Sequence, residues 1–411
     1  MLRTSLDGAI IADVAARLST VDDQRARRYP GDAAGRQPVH TCYVPADRVT
    51  PELPAEWGAG ALAALDEHAP TPPLLARALD LPEERAATVL ERVRAKLERE
   101  PVEDLRIDFE DGYGARDDRT EDEHAQRAAA VLAGWHRSGA APPWAGIRFK
   151  SFHTTALLER GARTLDIFLT TLGRMPSGLV LTFPKVTVPE QVRSLVELLE
   201  LLEDRLGIPS AGLRFEIQIE TTQSIVDSDG RIAIPRLIAA GRGRVSALHF
   251  GTYDYTAACG LGAAHQHLAH GSCDFARHVM QVAAAGTGVR LSDGSLNVLP
   301  VGDADAVYRG WRAHYGLVRR SLEHGFYQGW DLHPAQLVTR YAAVYAYYLD
   351  NAEAEARRLG AYLSGTAGSI ADEPATARAL AGTLRRAVDC GALTRAEADG
   401  LVGRPDWGAH A

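Results

Sequence analysis

The stretch Leu213-Arg214-Phe215-Glu216-Ile217-Gln218-Ile219-Glu220 alternates apolar and polar residues without a break. A period of two places Leu213, Phe215, Ile217 and Ile219 on one face of a β-strand and Arg214, Glu216, Gln218 and Glu220 on the other. In a (β/α)₈ barrel the apolar set packs on the surrounding helices and the polar set points into the interior. Glu220 then stands at the C-terminal end of the strand, where that architecture assembles its chemistry.

Seven further β-rich runs flank this one, at 39–44, 105–109, 146–149, 179–183, 245–250, 289–291 and 329–333, separated mostly by helical segments. Eight strands alternating with helices predict parallel βα units closed into a TIM barrel. An open doubly wound sheet would carry a glycine-rich nucleotide loop after its first strand. That position reads Tyr43-Val44-Pro45-Ala46-Asp47-Arg48, with neither GxGxxG nor a P-loop. The barrel is expected over residues 1–335, with a helical insertion at 50–100 that contains a charged helix at 82–99. Residues 336–411 read as a wholly helical C-terminal appendage, a lid or oligomer contact, with helices at 336–363, 373–390 and 394–402.

The bulk properties fit that size and class. A chain of 411 residues, 46% hydrophobic and 24% charged, has the composition of a globular protein with a large core. A net charge of −8 argues against a dominant nucleic-acid or anionic-membrane surface. Cys42, Cys259, Cys273 and Cys390 show no paired spacing, which fits a reducing compartment. With Asp7 and Asp13 inside its apolar N-terminal segment, and no run long enough to cross a bilayer, the chain is expected in the cytoplasm.

Polar residues recur at the strand ends. Ile107 and Phe109 alternate with Arg106, Asp108 and Glu110, and Ile147 and Phe149 with Arg148 and Lys150. Phe250 is followed by Gly251-Thr252-Tyr253-Asp254. Two carboxylates from adjacent strand ends, completed by water and substrate oxygens, suit Mg²⁺ better than zinc. A nearby arginine suits a substrate carboxylate or a developing enolate.

In the segments Tyr43-Val44-Pro45, Ile107-Asp108-Phe109-Glu110-Asp111-Gly112, Ile147-Arg148-Phe149, Phe183-Pro184-Lys185-Val186, Gln218-Ile219-Glu220-Thr221, Phe250-Gly251-Thr252-Tyr253-Asp254-Tyr255 and Leu332-His333-Pro334-Ala335-Gln336, the chain resembles the HpcH/HpaI aldolase and citrate lyase β-subunit superfamily. Its motifs lie nearest the malyl-CoA lyase and malate-synthase-like branch. The resemblance implies a carbon–carbon lyase or aldolase with Glu220 and Asp254 as ligands of Mg²⁺, or of Mn²⁺. It implies that Arg148 binds the substrate carboxylate and carbonyl oxygen, that Glu110 and Asp111 order waters or the arginine from behind, and that Lys185 and the backbone of Gly251, Thr252 and Tyr253 border the keto acid. A homo-oligomer, trimeric or hexameric, is also implied.

The tail segment Gly368-Ser369-Ile370-Ala371-Asp372-Glu373-Pro374 resembles that branch's lid, which makes Asp372 the candidate for proton transfer at the acyl α-carbon. The same residues also read as an ordinary helix start. Three substrate readings stay open: a hydroxyacyl-CoA lyase using a coenzyme A thioester, a CoA-independent keto-acid aldolase, and a barrel that binds such ligands without turnover. The cluster His265, His267, His270 and Cys273 reads as loop residues rather than a second metal site. Arg25, Arg27, Arg28 and Arg36 read as a solvated helix end that could also meet phosphates. Tyr341, Tyr345, Tyr347 and Tyr348 read as helix packing.

Overall fold

A computed structural model of the chain describes residues 5–366 and 373–410. Eight parallel strands form the sheet: β1 (His40–Pro45), β2 (Asp104–Asp108), β3 (Trp144–Arg148), β4 (Leu179–Phe183), β5 (Phe215–Ile219), β6 (Val245–Phe250), β7 (Arg290–Ser292) and β8 (Gly329–Asp331). From β1 to β7 each strand pairs with the next, and β8 pairs with β1, in the order β7-β6-β5-β4-β3-β2-β1-β8. A parallel bridge between Ser292 and Gln328, with Asp293 N–H donating to the Gln328 carbonyl at 2.8 Å, draws the two ends together into a nearly closed barrel.

The expected strands are all present, shortened where a backbone group finds another partner. β5 starts at Phe215 because Leu213 N–H donates to Glu203 Oε1 (2.8 Å), a carboxylate also clamped by Arg244. β8 stops at Asp331 because His333 turns to cap the next helix, its Nδ1 accepting from Ala335 N–H at 3.2 Å. That helix, Pro334–Leu363, packs on Leu53–His68 and Glu83–Arg99 on one side and Ala304–Glu323 on the other. Its tyrosines anchor it: Tyr341 donates to the Pro101 carbonyl (2.9 Å) and Tyr345 to that of Cys390 (3.1 Å). Among the described residues no helix is long and apolar enough to cross a membrane.

Outward-facing Leu105, Ile107, Ile147, Leu181, Phe183, Phe215, Ile217, Ile219 and Leu248 are fully buried against the helices. The inward set is polar and just as dry. Arg106 lies across the interior, donating to Asp104 Oδ1 (2.6 Å) and Thr182 Oγ1 (2.8 Å) and pairing with Glu216. Glu216 also meets His249 Nε2 at 3.1 Å, and Trp330 Nε1–H donates to His249 Nδ1 at 3.2 Å. Indole nitrogen only donates, so Nδ1 must accept and the imidazole proton sits on Nε2, facing Glu216. Thr41 and Gln328 complete the ring, Gln328 donating to Thr41 and Thr41 to Asp104, both at 2.8 Å.

Burial drives the Glu216 carboxyl up, but Arg106 and His249 outweigh it and hold the group at about 2. Asp104 moves the other way, raised by burial and by Glu216 despite Arg106. One guanidinium thus serves two buried carboxyl groups. Arg106→Met should lower unfolding stability by about 3–5 kcal/mol, the usual cost of stripping one partner from a buried ion pair. Urea denaturation of the variant checks this, and a loss below about 1 kcal/mol would show that the interior does not depend on Arg106.

Candidate active site at the C-terminal mouth of the barrel

One layer above Arg106, Asp108 ends β2 and organises two structures at once. Its oxygens accept from the backbone N–H groups of Glu110 (2.9 Å) and Gly112 (2.8 Å), which folds the turn after the strand. The same oxygens take Arg148 in a fork, Nε to Oδ1 at 2.6 Å and Nη2 to Oδ2 at 2.7 Å. Residue 112 is glycine for a steric reason: a Cβ there would lie 2.7 Å from Asp108 Oδ2. The Arg148 guanidinium also rests 4.9 Å above the Tyr43 ring, and Tyr43 lies 4.7 Å from Trp330. Only Nη1 is left uncommitted to Asp108.

Gln218 carries that arrangement across to β5. With its amide turned to satisfy both neighbours, its oxygen accepts from Arg148 Nη1 (3.2 Å) and its nitrogen donates to Glu220 Oε1 (3.3 Å). Glu220 Oε1 also accepts from Lys185 N–H at 2.7 Å. No hydrogen bond from the described residues reaches Oε2. Glu220 is 3% exposed and is cradled by Gly251, where a Cβ would stand 2.4 Å from the Glu220 Cβ and 2.5 Å from Oε2.

Lys185 gathers the remaining acids. It adopts a left-handed backbone (φ +52°), uncommon for a residue with a side chain, and so its N–H meets Glu220 while its ammonium reaches over the mouth. Nζ contacts Asp111 Oδ2 at 2.8 Å and Glu110 Oε1 at 3.4 Å, and it pairs with Asp254 in the first turn of helix Thr252–Ala258. Glu110, Asp111, Arg148, Lys185, Glu220, Gly251 and Asp254, named separately from the sequence, therefore form one connected group.

Other expected positions fall outside that group. The Thr252 side chain is buried beneath Gly294, where a Cβ would come within 2.2 Å of its hydroxyl, so this residue offers the mouth its backbone rather than its side chain. Tyr253 turns to the loop before Ala304, its hydroxyl accepting from Asn297 N–H at 2.8 Å. Asp372 lies outside the described residues. The histidines at 265, 267 and 270 form no metal cluster among the described residues, and His270 instead caps helix Gly271–Ala284. Asp108, Gln218 and Tyr43 were not singled out as site residues, although the inward alternation of β1, β2 and β5 carried the signal.

The electrostatics follow from confinement. Burial lifts Glu220 to about 7; Lys185 and Arg148 pull it back and Asp254 adds to the rise. Burial also lifts Glu110 to about 8, with Arg148 and Lys185 opposing and Asp111 reinforcing. Asp111 is lowered, its burial outweighed by Lys185 and by the Glu110 contact. Glu220 offers a buried carboxylate with one oxygen free of donors, and Asp254 a half-buried carboxylate paired with Lys185. These are two acids of the kind a hard divalent cation takes beside water or substrate oxygens; no cluster of three or more such ligands forms among the described residues.

The chain belongs to the family of a domain of unknown function (DUF6986), whose profile matches residues 18–404. It is similar to a solved citrate lyase from Burkholderia xenovorans LB400, at 18% identity and a TM-score of 0.58 over 89% of this chain and 97% of that one. It is also similar to the protein CitE from Mycobacterium tuberculosis, solved with magnesium, acetoacetate and coenzyme A, at 20% identity and a TM-score of 0.50 over 86% of this chain and 98% of that one. No curated protein matches it. At these identities the likeness is one of fold: the eight-stranded parallel barrel.

Gly251→Ala tests the cradle directly. The added methyl must displace Glu220, so any thermal shift that Mg²⁺ gives the parent chain should disappear in the variant while the folded spectrum stays the same. An unchanged Mg²⁺ shift in the alanine variant would show that Glu220 takes no part in holding the ion.

Proposed function

We propose that this member of the DUF6986 family is a Mg²⁺-dependent carbon–carbon lyase or aldolase. It would cleave, or in reverse form, a 2-hydroxy acid or hydroxyacyl-CoA and yield a keto acid. The observation that carries the reading is the convergence of Glu220 and Asp254 with the Asp108-clamped Arg148 at the barrel mouth. Glu220 and Asp254 would hold Mg²⁺ or Mn²⁺, which supplies Lewis-acid polarisation of the substrate oxygens.

The chain's own residues account for the rest. Arg148 is fixed in rotation by Asp108 and Tyr43 and presents Nη1 to the substrate carboxylate or the developing enolate oxygen. Preorganisation of this kind removes the cost of orienting the donor during reaction. In cleavage the 2-hydroxyl would give its proton to water, its O–H electron pair would become the π bond of the new carbonyl, and the electron pair of the adjacent carbon–carbon bond would pass to the departing enolate. The enolate carbon then takes a proton, a role that the lid resemblance gives to Asp372. Glu110, protonated below about pH 8, holds a proton at a carboxyl 3.8 Å from Arg148 Nη1. The implied homo-oligomer would let a lid serve a neighbouring mouth.

A CoA-independent aldolase draws support from one observation. Arg36, a candidate for coenzyme phosphates, is instead bound to Glu100 at 2.7 Å and Glu103 at 2.6 Å. Keto-acid release from hydroxy acids and from their CoA thioesters, each in Mg²⁺ and in chelator, separates the two substrate classes. Activity that survives chelation would overturn the metal-dependent reading altogether.

Two outcomes are expected. Glu220→Ala should abolish Mg²⁺-dependent turnover while the fold persists; wild-type rates in this variant would remove Glu220 from the site. The second concerns pH. A carboxyl raised to about 7 carries a proton below that value, and the ion requires the carboxylate. Mg²⁺ affinity should therefore fall about tenfold per pH unit below about 7 and level off above it. A flat affinity across that range would contradict the assignment.

A further inference from the structure

At the opposite end of the barrel lies a cavity of about 210 Å³. Its walls come from residues 32–37 before β1, from the start of β7, from the turn into β8 and from the last turns of helix Pro374–Cys390. Arg290, Arg385 and Arg386 all line it.

These arginines differ from the buried ones elsewhere. Arg36, Arg106, Arg148, Arg244, Arg277 and Arg340 each sit on at least one carboxylate. Among the described residues, none of the three around the cavity forms an ion pair. The half-buried Arg290 donates only to the carbonyls of Ala34 (3.1 Å) and Gly35 (3.4 Å). Burial holds its guanidinium below the usual arginine range, and Arg214 adds to the effect. Arg386 lies over the Tyr327 ring at 5.7 Å, and Arg385 has no side-chain partner among the described residues. Asp389 and Asp32 share the wall, but neither comes within 4.0 Å of a guanidinium nitrogen of the three. A partly desolvated guanidinium without an acid, in a concavity shared with two more, is the arrangement in which an external anion supplies the missing charge.

We propose that this cavity binds a small oxyanion, a phosphate or carboxylate group held by Arg290, Arg385 and Arg386. The volume admits such a group. The site is independent of the catalytic reading and stands or falls without it.

Calorimetric titration of the full chain with inorganic phosphate and, separately, with malonate tests it and tells the two anion classes apart. Saturable binding of at least one anion is expected. It should weaken at least about tenfold in Arg290→Gln and in Arg385→Gln, and stay unchanged in Lys185→Met at the other mouth. Arg386→Gln, at an exposed helix position, should also weaken binding without disturbing the fold. Absence of saturable heat with both anions would overturn the proposal. So would binding that all three arginine variants leave intact, or binding that only Lys185→Met removes.

Discussion

Arg106 carries its charge where water does not reach, and both Asp104 and Glu216 depend on it for neutralisation. Buried carboxyl groups sharing one cation cannot move independently, because leaving any of them unpaired costs several kcal/mol. Three strands are tied across the barrel in this way: β2 through Asp104 and Arg106, β4 through Thr182 and β5 through Glu216. β6 joins through His249, and β8 through Trp330. The interior therefore sets the height and rotation of the strands more strictly than an apolar filling would, since hydrogen bonds are directional and dispersion is not. The next inward residues up β2 and β5 are Asp108 and Gln218, and above them stands Glu220. The mouth takes its geometry from the floor beneath it.

What could be seen in the sequence tracks how local each signal is. The eight strands and Glu220 follow from a period of two, which is a property of neighbouring residues. Asp254 has no such support, since it lies in the first turn of a helix, where it pairs with Lys185. Lys185 illustrates the limit more sharply. Its role depends on a left-handed backbone after Phe183-Pro184 and on acids from three separate loops, and no spacing within its own segment encodes either. Asp108 was visible as an inward residue, but its hold on Arg148 crosses from β2 to β3 and depends on their register, in which the two residues stand side by side. The helical tail was legible as helices. The packing of Pro334–Leu363 on the insertion after β1 was not, because that contact joins segments more than two hundred residues apart.

The two mouths are built on opposite electrostatic plans. The N-terminal cavity gathers three guanidinium groups without ion pairs among the described residues; the C-terminal mouth gathers more acids than cations. Asp108 already takes the fork of Arg148, so Lys185 and the remaining reach of Arg148 face Glu110, Asp111, Glu220 and Asp254. The four carboxyl groups outnumber these cations, and burial adds to the cost of ionising them, so the most buried keep their protons longest. Burial carries Glu110 to about 8 and Glu220 to about 7 against the pull of Arg148 and Lys185.

A divalent cation would relieve the same excess by another route, displacing the proton from Glu220 and using the oxygen that the fold leaves without a donor. The absence of a side chain at Gly251 then has a purpose beyond chain conformation. It keeps the approach to Glu220 Oε2 clear, at a point where even a methyl group would collide. Lys185 need not leave the mouth for this exchange. Its backbone N–H holds Glu220 Oε1 independently of where its ammonium lies, so the carboxylate stays oriented whichever charge neutralises the site. Burial is what raises the Glu220 carboxyl, and on the proposed reading an ion held there would compete with the proton that burial favours.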